Sequence, residues 1–90
     1  MDREIADRFL DLYEAALTRR EKALALYNAV TVALPAEDIP AFLGEGGNDF
    51  LSFIRVMQNE DSDQSAAVAY ERDAPPAEYL DDLYARLRAR

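Results

Sequence analysis

Carboxylates are the reactive groups this sequence holds in quantity. Eighteen Asp and Glu stand against ten Lys and Arg, a net charge of −8 at pH 7 over 90 residues. Two chemistries follow from dense carboxylates, cation binding and paired acid–base catalysis. The richest run is at residues 59–64, where Asn59, Asp61, Asp63 and then Ser65 alternate as the oxygen ligands of a calcium loop do. The match stops there. The turn position is Gln64 rather than Gly, the twelfth place is Tyr70, and Glu71 arrives one residue late. A solvated acidic turn is the expectation, with no metal and no cofactor.

Other chemistries fall away by residue type. The chain has no His and no Cys, which removes the usual zinc sites, thiol nucleophiles, His general bases and Ser–His–Asp triads. Gly46 and Gly47 sit in a loop that could approach a phosphate, but no Lys follows and the phosphate-loop spacing is missing. Glu37–Asp38 and Asp81–Asp82 are ordinary turn and helix-start acids. Acid–base work would need a pocket that raises one carboxyl's pKa, and a chain this short has little room for one. We therefore expect no enzyme.

The elements that place these groups read as helices. Residues 2–34 contain no Gly or Pro. Ile5, Phe9, Leu12, Ala16, Ala23, Leu26 and Val30 form one apolar stripe; Ala6, Leu10, Tyr13, Leu17, Leu24, Tyr27 and Leu34 form another. Together they predict one long helix with a face wide enough for a globular bundle, ended by Pro35. On that face Leu17 and Leu24 belong to the core. Arg19 and Arg20 interrupt both stripes. Their stems can lie along the core edge with charged heads in water. Alternatively, Thr18 with Glu21 three residues on makes a capping box and breaks the helix there. A third reading makes the two arginines a spot for an acidic partner.

Pro40 keeps residues 35–44 from forming one helix, so two short turns are expected, with Ile39, Phe42 and Leu43 inward. Phe50, Phe53, Ile54 and Met57 recur at helical spacing and predict a middle helix over about 49–58, capped by Asn48 or Asp49. The β-rich composition of 52–58 leaves a hairpin with 66–72 as the alternative. Beyond Pro75 and Pro76, early acids and late arginines bracket a C-terminal helix over about 76–89, with Tyr79, Leu80, Leu83, Tyr84 and Leu87 on its apolar face. The expected fold is all-α, a small helical bundle forming one domain over 1–90.

Charge is segregated along the chain. Residues 35–64 carry Glu37, Asp38, Glu45, Asp49, Glu60, Asp61 and Asp63 against Arg55 alone, a net of −6. The flanks are each near neutral. These seven acids are the expected partner-binding surface, and the partner is a protein with a basic face. Nucleic acid is disfavoured as a direct ligand, because phosphates are bound by Lys and Arg. No apolar run approaches the ~20 residues that span a bilayer, and the start is unlike a signal peptide, so no membrane is expected and cytoplasmic residence is. The function expected is a small acidic protein–protein interaction module. Its sharper form is a phage or mobile-element inhibitor, of anti-CRISPR or anti-restriction type, that blocks a cationic surface of a nucleic-acid-handling complex. The alternative is a structural or self-assembling helical protein, a homodimer through the broad first face. A small-ligand binder is a third class.

Overall fold

Residues 3–59 and 70–90 are described by a computed structural model. The described chain is helical and contains no strand. Five helices follow in order: α1 Arg3–Ala15, α2 Arg19–Ala33, α3 Ile39–Leu43, α4 Gly47–Asn59 and α5 Ala77–Arg88. Short 3-10 turns precede α3, α4 and α5 at Ala36–Asp38, Gly44–Gly46 and Glu71–Asp73. The all-α bundle expected from the sequence is what the chain forms.

The single long helix over 2–34 is not. It breaks at residues 16–18, and α1 and α2 fold back on each other as a hairpin. Thr18 caps the helix that follows the break. Its backbone is extended (φ −126°, ψ 158°) and its Oγ1 accepts a hydrogen bond from Glu21 N–H at 3.1 Å, so it caps α2 as the Thr18–Glu21 spacing allows. Lys22 Nζ donates to Tyr13 O at 3.1 Å and tends the free carbonyl end of α1. The break also shifts the buried phase. Ala6, Leu10 and Tyr13 of one stripe are buried in α1, whereas Ala23, Leu26 and Val30 of the other are buried in α2. Leu17 is therefore not core: it is 91% exposed in the link. Leu24 is only half-buried. Neither leucine is the fully buried core residue that the stripe predicts.

Pro40 falls in the first turn of α3, where its missing N–H is harmless. Ile39 and Phe42 are half-buried and Leu43 is buried, as their spacing predicts. Gly44 ends α3 at φ 71°, a conformation other residues avoid. Residues 52–59 lie within α4, so the hairpin alternative fails there. Of its facing half, 66–72, residues 66–69 lie outside the described residues, and 71–72 belong to the 3-10 turn Glu71–Asp73 rather than to a strand. The middle helix starts slightly earlier than the sequence suggests, so Asn48 and Asp49 lie in its first turn rather than at the cap.

Phe50 sits at the centre with no exposed surface. Its ring meets Tyr27 of α2 at 6.4 Å and Tyr79 of α5 at 6.2 Å, both tilted. Leu10, Leu26, Ile54, Leu80, Leu83 and Leu87 are fully or almost fully buried in the same cluster. Each such side chain contributes about 1.5–3 kcal/mol by burial. Gly46 packs close to Tyr79: a Cβ there would stand 2.7 Å from the Tyr79 ring, whose hydroxyl donates to Leu43 O at 2.8 Å.

Candidate interaction surface

Most described acids of α1 and α5 are already engaged within the molecule. Arg88 reaches Asp7 (3.5 Å), Asp11 (2.8 Å) and Glu14 (3.2 Å), tying the end of α5 to α1. Arg3 pairs with Asp7, Arg8 with Glu4 and Arg86 with Asp82. Tyr13 Oη donates to Asp81 at 2.6 Å while its ring stacks on Tyr84 at 4.7 Å. Burial, then the Asp81 carboxylate, pushes the Tyr13 hydroxyl well above the usual tyrosine range. It is a structural hydrogen bond, not an acid–base group at neutral pH.

Acids on the segment between α2 and α4 differ. Glu37 and Asp38 lie on the first 3-10 turn, Glu45 on the second and Asp49 in the first turn of α4. All four are exposed, and none meets a cationic side chain among the described residues. The two 3-10 turns leave their carboxylates exposed, whereas in α3 between them Ile39 is half-buried and Leu43 buried. Glu60, Asp61 and Asp63, the other three expected partner-binding residues, lie outside the described residues. So does most of the alternating run that resembles a calcium loop. Among the described residues no group of three or more His, Cys, Asp or Glu could hold a metal ion.

Two surface grooves accompany these charges. The first lies between α1 and α2, a cavity of about 300 Å³ lined by Phe9, Leu12, Ala16, Leu24 and Ala25 with Glu21 at its edge. Leu12 is 56% exposed on it, and Leu17 stands beside Ala16. The second, about 390 Å³, lies between α4 and residues 73–76. Phe53, Val56, Ala74 and Pro75 give it apolar walls, and Asp49 and Asp73 line it from opposite elements.

The wall at 73–76 is clamped to α2. Arg19 donates through Nη1 to the carbonyls of Ala74 and Pro75, both at 3.3 Å, and through Nη2 to Glu71 O at 3.0 Å. The Glu71 carboxylate in turn accepts from the backbone N–H groups of Arg19 (2.9 Å) and Arg20 (3.0 Å). These bonds, the one from Arg20 N–H foremost, hold its carboxyl below the usual range. Arg19 thus works as an internal tie, which the reading of Arg19 and Arg20 as an acidic-partner spot does not foresee.

The sequence reading misses Asp73, Leu12 and Leu17 as surface features. Asp73 sits in a stretch whose net charge is near zero, so counting charge hides it. Leu17 directly precedes the Thr18–Glu21 cap, and that position was the available signal. Among the described residues no helix is long and apolar enough to cross a membrane. No family model, curated protein or solved structure matches this chain.

Proposed function

We propose that this chain is a protein–protein interaction module that docks on a basic surface of a partner protein through its acidic segment. The reading extends to a phage or mobile-element inhibitor of anti-CRISPR or anti-restriction type, acting in the cytoplasm by occupying a groove that otherwise holds nucleic-acid phosphates. The observation that carries it is the uneven pairing of acids. The arginines of α1 and α5 neutralise the carboxylates near them, while Glu37, Asp38, Glu45 and Asp49 are exposed and meet no cationic side chain among the described residues. Unpaired carboxylates on one segment steer encounter with a basic surface and raise association rates by ~10- to 10³-fold at low salt. Each exposed pair adds only about 0–1 kcal/mol, so the segment acts as a group.

The test is functional. In cells whose nucleic-acid-targeting defence complex blocks a virus, expression of the chain should restore viral growth. The fourfold variant with Glu37, Asp38, Glu45 and Asp49 all changed to Lys should not. Equal rescue by both proteins removes the acidic segment as the site. Absence of rescue across a panel of such complexes removes the inhibitor form of the proposal.

A second reading, a self-assembling homodimer, is favoured by one observation. Leu12 and Leu17 remain exposed beside the apolar groove between α1 and α2. That part of the chain is also near neutral, so two copies could meet there with little repulsion.

A further inference from the structure

We propose that the groove between α4 and residues 73–76 receives an arginine side chain of the partner. This inference rests on the reading of the chain as a module for a basic partner, and it names one point of capture. Arginine is amphipathic: its methylene stem seeks apolar surface and its planar guanidinium seeks carboxylates. The groove offers both. Phe53 and Val56 of α4 line it together with Ala74 and Pro75, and its lining includes one acidic residue from each element, Asp49 from α4 and Asp73 from the 3-10 turn.

Asp49 and Asp73 have no cationic partner among the described residues. Arg72, next in sequence to Asp73, places its guanidinium over the Tyr70 ring at 4.7 Å. Arg19 holds the carbonyls of Ala74 and Pro75, so the wall needs no ordering when the side chain enters. A guanidinium has five N–H donors in a fixed plane and can serve two carboxylates at once, with the Ser52 hydroxyl, which also lines the groove, as a further acceptor. A lysine ammonium carries its charge at one point and is more strongly hydrated. A second copy of this chain is a poor occupant, since each copy carries −8.

N-acetyl-arginine amide is the probe, titrated into the full chain at low salt and followed by backbone amide shifts. The expected result is a saturable shift confined to residues 49–56 and 73–75, with N-acetyl-lysine amide binding several-fold more weakly. The double variant Asp49→Asn, Asp73→Asn should weaken the arginine probe by at least about fivefold, as loss of about 1 kcal/mol implies. Asp73→Asn alone leaves the α4 terminus untouched and should weaken it measurably, with the circular dichroism of the wild type. No shift in the groove overturns the inference. So do equal binding of the lysine probe, unchanged binding by both variants, or shifts centred on 37–45 instead. The probe needs no partner protein, so failure of the inhibitor reading in cells leaves this result standing. Conversely, an empty groove leaves the acidic segment at 37–45 to its own test.

Discussion

Glu71 and Arg19 hold each other from both directions. The carboxylate of Glu71 accepts the first N–H groups of α2, while the Arg19 guanidinium accepts nothing and donates back to Glu71 O, Ala74 O and Pro75 O. A residue far along the chain thus supplies the anion that a helix N-terminus favours. Thr18 caps the same turn from the position just before the helix, so the start of α2 has two independent acceptors.

The first prediction follows from the lowered carboxyl of Glu71. A carboxylate whose folded pKa is depressed contributes stability above its unfolded pKa, and that contribution is lost as pH falls through the folded value. Acid unfolding of the wild type should therefore include a Glu71 component below the ordinary Glu range. In Glu71→Gln the component should disappear, and the stability difference between the two proteins should shrink as pH falls. Chemical denaturation between pH 7 and pH 3 checks this. A difference that stays constant with pH would show that the charge of Glu71 does not hold the strap.

The second prediction separates core from link. Leu26→Ala should cost roughly 2–5 kcal/mol, because Leu26 is fully buried. Leu17→Ala should change stability by no more than about 0.5 kcal/mol, because Leu17 is almost wholly exposed. Midpoints of urea unfolding decide it. A large loss at Leu17 would mean that α1 and α2 run on as one helix in solution or that this leucine is covered by another molecule.

The third prediction addresses that cover. If two copies meet at the groove between α1 and α2, Leu17→Asp and Leu12→Asp should each shift the chain from dimer to monomer while leaving its helicity unchanged. Light scattering across the micromolar range reads the mass. A wild-type chain that stays monomeric at high micromolar concentration removes the dimer reading, and the exposed leucines would then be free for a different partner.

Much of the fold is legible in the residues because helical spacing is a local property. Phe50, Phe53 and Ile54, or Leu80, Leu83 and Leu87, declare a buried face without reference to anything distant. Pro40 and Gly44 mark their turns for equally local reasons. The break at Thr18 is written in the capping spacing, yet two apolar stripes that resume beyond Arg19 and Arg20, with no Gly or Pro between, argue for continuity. What decides between them is tertiary: the anion at the start of α2 comes from Glu71, and the cation at the end of α1 is Lys22 folding back. Neither partnership can be read from periodicity. The acidic surface is similar. Counting charges finds the excess at 35–64, but which acids are left unpaired depends on where Arg3, Arg86 and Arg88 reach. Asp73 joins Asp49 at one groove only because α4 and residues 73–76 are packed together.

Arg3, near the start of α1, donates to the carbonyls of Leu87 and Arg88 at the end of α5, both at 3.1 Å. The bond closes a loop over nearly the whole chain, whereas the turn between α1 and α2 closes over three residues. Closure cost rises only slowly with loop length, but the short turn can form without waiting for the rest. The hairpin's contacts are accordingly local in sequence, and those of α5 with α1 are the most distant ones. Helix ends ordinarily fray independently. Here the first turn of α1 and the last turn of α5 are fastened to each other, so loosening either one releases both.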